Sequence, residues 1–379
     1  MKFKSIVIAL VVLCVSGGAF AQNKGSGAAS FKPADVLNEM HRVADWQVET
    51  WKKEGFRYRK ADWTNAVCYT GLYAVGTLKG GGKYLQTLAG IGDDNRWNTG
   101  HHRFYADDYC VAQTYALLYT KYKDKKMIGP FIKQADSIVN RSHDEPLSWT
   151  NNIQLREWAW CDALYMGPPA LAYLSTATGN PKYLDMASKL WWKSTSFLYD
   201  PAEKLYFRDE SYFQKRERNG AKTFWGRGNG WVVGGLVRML ENMPESHPDR
   251  ARFEKLYRDM MVRVAALQQP DGSWHASLLD PASYPVKEMS GTGFSCYALA
   301  WGLNNGLIDE QTYLPVVKSA WNAMTSAVMD NGKLGFVQAI GASPDKVDAQ
   351  STEVYGVGSF LLAGSEIYQY MKEHPKATK

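Results

Sequence analysis

Hydrophobic positions recur with helical spacing along nearly the whole chain, whereas the alternating pattern typical of strands is sparse. Some junctions between periodic segments carry helix-breaking residues, as at Thr178-Gly179-Asn180-Pro181, where one helix is expected to stop and the next to start. The pattern predicts about twelve helices, near residues 33–53, 63–79, 83–90, 106–122, 126–140, 160–178, 181–196, 228–243, 248–268, 291–305, 310–329 and 352–372.

The predicted helices alternate between two kinds. The first, fifth, seventh, ninth and eleventh are amphipathic with a charged face, as in "PDRARFEKLYRDMMVRVAALQ" at 248–268. The even-numbered helices are poor in charge and rich in Gly, Ala and aromatic residues, as in "GTGFSCYALAWGL" near 291–303. A helix that is apolar nearly all round is buried on all sides, so the even-numbered helices are expected to form the interior.

The buried helices begin near residues 63, 106, 160, 228, 291 and 352, which makes each repeat one helical hairpin plus a loop of variable length. Six such hairpins predict an all-α fold, an (α/α)6 barrel with six parallel inner helices inside an outer ring of six. We expect one catalytic domain over residues 22–379. An open helical solenoid is the alternative, and closure is favoured because no terminal repeat resembles a polar cap.

The first 21 residues have the features of a signal peptide. Lys2 and Lys4 precede an apolar run from Ile6 to Val15, and Ala19-Phe20-Ala21 fits a cleavage site before Gln22. Cys14 raises the alternative of a lipoprotein, but the bulky Leu13 before it argues against this. No later segment has the length of a membrane span. The sequence therefore predicts an exported protein, in the periplasm or the medium.

Composition narrows the class of ligand. The net charge is +6, or +4 without Lys2 and Lys4, and the basic residues are scattered, which disfavours nucleic acid as a partner. The 14 tryptophans and 22 tyrosines suit a protein that stacks on sugar rings, although a large core also needs bulky residues. The four cysteines beyond the leader are far apart and lie in apolar helical stretches, so buried free thiols are expected. No signal for the oligomeric state was found.

Unusual residues cluster where the inner helices are predicted to start, and in a closed barrel these N-termini meet at one mouth. Helix N-termini carry partial positive charge and unpaired N–H groups, which with Arg227 favour an anionic ligand. Aromatic residues at the same mouth favour a sugar, so an acidic sugar satisfies both observations. The segments are Asp62-Trp63-Thr64-Asn65, Tyr105 to Tyr109, Trp158 to Asp162, Trp225 to Trp231, Lys287 to Thr292 and Ser351 to Tyr355.

Asp162 is the strongest candidate for catalysis, because it lies within the apolar run "WAWCDALYMGPP", where an idle carboxylate is costly. Asp107 or Asp108 could instead be an ordinary helix cap, as could Glu288 before "SGTGF". "GRGNG" could be only a glycine-rich turn and lacks the context of a phosphate loop. His101-His102 lacks any metal motif, so these residues are expected to be solvated.

Six segments together resemble glycoside hydrolase family 105, the unsaturated rhamnogalacturonyl hydrolases, from about residue 35 to the C-terminus. They are "ADDYCVAQTY", "WAWCDALYMGPP", "LYFRDE", "WGRGNGWVVGGL", "SGTGFSCYALAWGLNNGL" and "EVYGVGSFLLAGSE". The resemblance implies an (α/α)6 barrel that removes a 4,5-unsaturated uronic acid, galacturonyl or glucuronyl, from the non-reducing end of oligosaccharides produced by polysaccharide lyases.

By motif, the resemblance assigns Asp162 as the acid and base, and either Asp107 or Asp108 as the second acidic residue. The sugar-binding positions of the family fall on Trp160, Trp225, Arg227 and Trp231, and the guanidinium of Arg227 suits a carboxylate clamp. Two departures put the exact disaccharide in doubt: Asn151 and Asn152 replace a His-Lys pair, and Arg208 replaces a His. We also include Asn65 and Glu288 among the candidate substrate-binding residues.

The chemistry implied by the resemblance is hydration of a vinyl ether, which differs from the two-carboxylate attack of ordinary glycosidases. Asp162 would protonate C4 and then act as the base for water at C5, with no cofactor and no metal. The alternatives are a family 88-like unsaturated glucuronyl hydrolase, an ordinary glycosidase or sugar epimerase on the same barrel, and a catalytically silent protein that binds acidic oligosaccharides.

Overall fold

The computed structural model describes residues 30–375, so the predicted signal peptide lies outside the described residues. Within this range the chain forms thirteen α-helices and one two-stranded antiparallel sheet, β1 (Tyr199–Asp200) with β2 (Leu205–Tyr206). The helices are α1 (Pro33–Glu54), α2 (Trp63–Gly76), α3 (Gly82–Asp94), α4 (Cys110–Tyr122), α5 (Gly129–Val139), α6 (Ala163–Met166), α7 (Pro168–Thr178), α8 (Lys182–Leu198), α9 (Gly226–Glu241), α10 (Arg250–Ala266), α11 (Met289–Asn304), α12 (Glu310–Thr325) and α13 (Val354–Glu373).

The helices form a closed barrel, which confirms the predicted fold. In the inner ring α2 packs on α4, α4 on α7, α7 on α9, α9 on α11 and α11 on α13, and α13 returns to pack on α2. The outer helices cover this ring, with α1 against α13, α3 against α2, α8 against α7, α10 against α9 and α12 against α11. Contact between the last and the first inner helix rules out an open solenoid.

Burial follows the two kinds of helix that the sequence predicted. Every residue of α11 from Met289 to Leu303 is buried, whereas α10 buries only one side, including Phe253 and Tyr257. The four described cysteines are buried free thiols, which confirms that expectation. Among the described residues no helix combines the length and apolarity needed to cross a membrane.

One predicted helix, 160–178, is interrupted in the structure. Its C-terminal part is α7, which begins at Pro168, and only the short α6 precedes it. Pro168 and Pro169 lack the N–H groups that would continue a helix from α6, and Gly167 lies at the break, where an added Cβ would come within 2.6 Å of the Trp158 ring. As a result Trp158 to Asp162 form a non-helical segment at the end of the barrel, and Asp162 lies directly before α6.

We expect Gly358→Ala to destabilise the barrel by about 1–3 kcal/mol, because the new methyl group cannot fit between α13 and α2. A Cβ at Gly358 would lie 2.4 Å from the carbonyl oxygen of Val67, and this backbone atom cannot move without shifting the helix. The measurement is the free energy of unfolding in denaturant.

Gly90→Ala is the matched control. Gly90 is exposed in α3 and an added Cβ meets nothing within 4 Å, so helix propensity alone predicts a stabilisation of about 0.5–1 kcal/mol. Equal effects at the two glycines would show that close packing of α13 on α2 does not limit stability.

Candidate active site

A cavity opens at the end of the barrel where the inner helices begin, as the sequence predicted. Its residues come from the start of α2, the turn before α4, the segment before α6 and α6 itself, the loop after β2, the start of α9 and the loop before α13. They are Trp63, Tyr105, Asp107, Trp160, Asp162, Met166, Arg208, Trp225, Arg227, Trp231, Ile340 and Gly341. Below, this space is called the central cavity.

Asp162 lies in the wall of the central cavity with 9% of its surface exposed. The Cys161 thiol donates a weak hydrogen bond to Oδ2 of Asp162 at 3.4 Å, and Nε of Arg208 lies 3.9 Å from the same oxygen. Burial raises the pKa of Asp162, while the positive charge of Arg208 opposes this shift. A carboxyl group in this setting is suited to hold a proton and to exchange it with a ligand.

Asp107 and Asp108 face opposite ways, which separates the two candidates that the sequence left open. Asp107 lines the cavity beside Asp162 and shares a hydrogen bond with Tyr105. Burial raises the pKa of Asp107 to about 7; the negative charge of Asp162 adds to the shift, while the Tyr105 hydrogen bond lowers it. The structure therefore brings two buried carboxyl groups together at the cavity.

Asp108 does not line the cavity. Its Oδ2 accepts hydrogen bonds from the backbone N–H of His102 at 2.7 Å and pairs with Nδ1 of the same residue at 2.8 Å. The prediction that Asp108 could serve in catalysis is therefore corrected, because its carboxylate is engaged in holding the 100–102 loop. His101 and His102 are exposed loop residues, as the sequence predicted, and the half-exposed side chain of His102 also contacts Asp108.

Aromatic rings cover two sides of the cavity. Tyr105 stacks on Trp160 with centroids 5.4 Å apart and an angle of 24°. On the α2 side Trp63 stacks on Tyr355 at 5.3 Å and meets Trp231 edge to face at 5.9 Å. Flat apolar surfaces of this kind suit the faces of a sugar ring.

Arg227 lies at the cavity and bonds to the protein backbone through both of its terminal nitrogens. Nη1 donates to the backbone carbonyl of Gln338 at 2.7 Å and Nη2 to that of Ala339 at 2.8 Å. The guanidinium lies over the Trp225 ring at 4.4 Å and the Tyr355 ring at 5.0 Å. Arg227 therefore fastens the loop before α13, and each terminal nitrogen uses one of its N–H groups for this contact.

The loop fastened by Arg227 contributes Ile340 and Gly341 to the cavity wall. The side chain of Gln338 accepts a hydrogen bond from Nε1 of Trp225 at 3.1 Å, and its backbone N–H donates to Glu288 at 3.1 Å. These bonds hold the stretch that carries Ile340 and Gly341 against the start of α9. Ile340 is 49% exposed, which is unusual for a large apolar residue and places it at the rim.

Four predicted substrate-binding residues are not at the cavity. Asn65 is buried and donates to the carbonyls of Tyr58 and Arg59, so it fixes the segment before α2. Glu288 caps α11 by accepting hydrogen bonds from the N–H groups of Ser290 and Gly291. This is the helix-cap role that the sequence analysis gave as the alternative to substrate binding. Asn151 and Asn152 are exposed in a turn with φ near 51° and 52°, and neither is among the residues that line the cavity.

The sequence analysis did not select five of the lining residues as site residues: Trp63, Tyr105, Met166, Ile340 and Gly341. Trp63 and Tyr105 lie in segments that the sequence placed at the mouth of the barrel, but the sequence analysis assigned neither residue a role in the site. Met166 follows Asp162 by one helical turn in α6. Ile340 and Gly341 lie in a long loop with no periodicity, and no sequence signal identifies them.

No group of three or more His, Cys, Asp or Glu side chains between residues 30 and 375 is arranged to hold a metal ion.

Comparison with known proteins gives a consistent family match. The model of Glycosyl Hydrolase Family 88 matches residues 39–371. A curated relative from Formosa agariphila, named unsaturated 3S-rhamnoglycuronyl hydrolase, is 35% identical over 377 residues, covering 96% of this chain and 98% of the relative.

Solved structures agree with this match. A protein described as glycosyl hydrolase family 88 from Bacteroides vulgatus is 31% identical with a TM-score of 0.80, covering 89% of this chain and 99% of its own. A second structure, described as a polysaccharide lyase, is 32% identical with a TM-score of 0.81, covering 90% and 98%.

Proposed function

Because the chain belongs to glycosyl hydrolase family 88, we propose that it removes a 4,5-unsaturated uronic acid from the non-reducing end of oligosaccharides produced by polysaccharide lyases. The observation that carries this proposal is the pair of buried carboxyl groups, Asp107 and Asp162, in a cavity walled by aromatic rings. The resemblance to unsaturated uronyl hydrolases that the motifs indicated is confirmed by the curated relative's name.

Vinyl-ether hydration assigns one residue two roles. Protonated Asp162 gives its proton to C4, and the positive charge that develops at C5 is met by water, whose proton returns to Asp162. The hemiketal formed at C5 opens to leave a hemiacetal at C1, which releases the neighbouring sugar. A raised pKa suits both steps, because the group must be protonated before the first and ionised before the second.

Asp107 supports this cycle as the second carboxyl group. Its pKa of about 7 places its titration near neutral pH, and its hydrogen bond with Tyr105 fixes its orientation. Two interacting carboxyl groups titrate as a pair, so the negative charge of one raises the pKa of the other. This interaction favours a protonated carboxyl group in the cavity at neutral pH.

The curated relative supports a uronide linked to rhamnose as the first substrate to test, because that protein is named an unsaturated 3S-rhamnoglycuronyl hydrolase. Ile340 at the rim offers an apolar contact for the sugar next to the uronide. The panel should also include unsaturated uronides linked to galactose and to amino sugars, since the linked sugar is a proposal.

On mixing with lyase digests, the protein is expected to abolish the ultraviolet absorbance of the conjugated enol ether, because hydration removes the C4–C5 double bond. The measurement follows this absorbance with time over digests of pectin, ulvan, arabinogalactan and glycosaminoglycans. Each digest is paired with its undigested polysaccharide as the control substrate.

The direction of the signal separates the competing functions. A polysaccharide lyase, as one structural relative is described, would raise the absorbance of the undigested polysaccharide, because it creates the double bond. A silent binding protein would leave both unchanged. Either result would contradict the proposed hydrolase.

We also propose that the protein is exported after removal of residues 1–21 and acts as one catalytic domain. The charge, apolar run and cleavage site at the N-terminus support export. The N-terminal sequence of protein recovered from the periplasm or the medium tests this, with a start near Gln22 expected.

A further inference from the structure

The two arginines of the central cavity differ in how their donors are used. Arg227 gives both terminal nitrogens to backbone carbonyls and lies against two aromatic rings with 1% of its surface exposed. Its Nε has no hydrogen-bond partner, but it is enclosed with the rest of the side chain. Arg227 is therefore built into the wall.

Arg208 is held from one side only. Its Nη1 donates to Oδ2 of Asp209 at 2.5 Å, and the guanidinium lies over the Trp149 ring at 4.7 Å. Asp209 is itself fixed, because its Oδ1 caps the turn at Ser211. The Nε of Arg208 is buried without a hydrogen-bond partner, and the side chain, 17% exposed, lines the cavity.

Arg208 lies close to the group that must carry the proton. Its Nε is 3.9 Å from Oδ2 of Asp162, too far for a hydrogen bond but close enough for a strong electrostatic effect. A planar guanidinium can bind a carboxylate through two parallel hydrogen bonds, and of the two arginines Arg208 is the more exposed, with 17% of its side chain accessible against 1% for Arg227.

We propose that Arg208, rather than Arg227, binds the carboxylate of the unsaturated uronic acid, and that this ion pair allows Asp162 to hold its proton in the bound state. The inference rests on the proposed function and names the anion-binding residue of the same site. It departs from the expectation drawn from the sequence, which gave the carboxylate to Arg227.

The position of Arg208 fits the chemistry of the substrate. The carboxylate of a 4,5-unsaturated uronic acid is attached to C5, and C4, which receives the proton, is the next ring atom. A carboxylate held by Arg208 would bring C5 and the adjacent C4 close to Asp162, because Nε of Arg208 lies 3.9 Å from Oδ2 of Asp162. The same contact places the substrate carboxylate next to the guanidinium of Arg208. The positive charge of this guanidinium opposes protonation of Asp162 in the free enzyme.

The charge balance around Asp162 then changes on binding. The charged and titratable groups that surround Asp162 are Cys161 on its own segment, Tyr105 and Asp107 before α4, Arg208, Asp209 and Tyr212 after β2, and Arg227 in α9. In the free enzyme Arg208 lowers the pKa of Asp162 against the effect of burial. The substrate carboxylate offsets that positive charge, so the pKa of Asp162 rises and a proton is taken up from solvent.

The test compares an unsaturated disaccharide with its methyl ester in the wild type and in Arg208→Gln. In the wild type we expect esterification to lower kcat/KM by about 10- to 100-fold, since a charge-assisted pair is lost. In Arg208→Gln the kcat/KM for the acid should fall by a similar factor. The kcat/KM values of this variant for the ester and for the acid should then differ by less than about threefold. Arg216→Gln, at an exposed arginine bonded to the carbonyls of Phe213 and Lys215, is the matched control and should behave as the wild type.

The pH profiles give a second readout that a purely structural role would not move. In the wild type the pKa on the alkaline side of the kcat profile, which reports the bound state, should exceed that of the kcat/KM profile, which reports the free enzyme. In Arg208→Gln the two values should coincide. If this variant folds poorly, Arg208→Lys keeps the positive charge but loses the bidentate guanidinium. This variant should still show a higher alkaline pKa in the kcat profile than in the kcat/KM profile, while its affinity for the substrate falls.

Three results would overturn the inference. Equal sensitivity of Arg208→Gln and the wild type to esterification would place the carboxylate elsewhere. A variant that distinguishes the acid from the ester but no longer distinguishes sulfated from unsulfated substrates would assign Arg208 to a sulfate on the neighbouring sugar. Absence of activity of the wild type on every unsaturated uronide would overturn the proposed function itself, and this inference with it.

Discussion

Asp162→Asn is expected to lower turnover by about a hundredfold or more on any substrate that the wild type accepts. Asparagine has the size of aspartate but can neither give a proton to C4 nor take one from water, so both proposed steps lose their catalyst. Burial of Asp162 and its raised pKa make it the group best suited to this role in the cavity. The measurement is kcat from the loss of enol-ether absorbance at saturating substrate.

Substrate affinity and folding serve as controls for this variant. The amide should leave the barrel intact, because the carboxylate of Asp162 receives only a weak bond from Cys161 and lies 3.9 Å from Arg208. We expect KM to change by less than about tenfold and the thermal midpoint to be at least as high as in the wild type, since a buried ionisable group is removed. Turnover close to that of the wild type would reject Asp162 as the acid and base.

Asp107→Asn is expected to lower turnover by about 10- to 100-fold, because the cavity loses the carboxyl group whose charge interacts with that of Asp162. Asp108→Asn is the matched comparison, since the two residues are adjacent but only Asp107 lines the cavity. We expect Asp108→Asn to lose much less activity, as an amide oxygen can still accept from the His102 N–H. Equal losses at both positions would contradict the assignment of Asp107 as the second acidic residue.

Asp107→Asn should also be more stable than the wild type above neutral pH. Asp107 keeps its proton up to about pH 7 in the folded chain but ionises near its ordinary value of 3.8 when unfolded. The folded state binds more protons between these values, so the stability of the wild type falls as the pH rises from about 4 to about 7. The variant escapes this loss. A gain of about 1–4 kcal/mol at pH 8 and none near pH 4 is expected in chemical unfolding.

Helix packing was the most predictable part of this molecule. Charge-poor sequences such as α11 favour burial on all sides, and six of them alternating with outer helices favoured a closed ring over an open solenoid. The interruption at Gly167 was missed because a buried, apolar run looks continuous whether or not its prolines break it. Proline is favoured at the first position of a helix, so Pro168 could have been interpreted as a helix start. A helix that begins at Pro168 would have left Asp162 outside it.

The sequence predicted the site residues that lie at the start of inner helices. It predicted less well the residues whose position depends on the conformation of a loop. Asp162, Trp160, Trp225 and Trp231 reach the cavity because the geometry of a closed ring fixes where inner helices begin. The role of Arg227 could not be derived in the same way, because its hydrogen-bond partners belong to a loop more than a hundred residues away.

The pairing of α13 with α2 has a consequence for how the chain reaches its native state. The two helices meet across backbone contacts at Gly358 and Val67, so the ring closes only between segments nearly three hundred residues apart. Contacts of such long range are slow to form, and until the final turns leave the ribosome the growing polypeptide presents two unpaired apolar helices. A nascent chain stalled before α13 is therefore expected to expose the apolar surfaces of α2 and α11 that α13 would cover, and to aggregate.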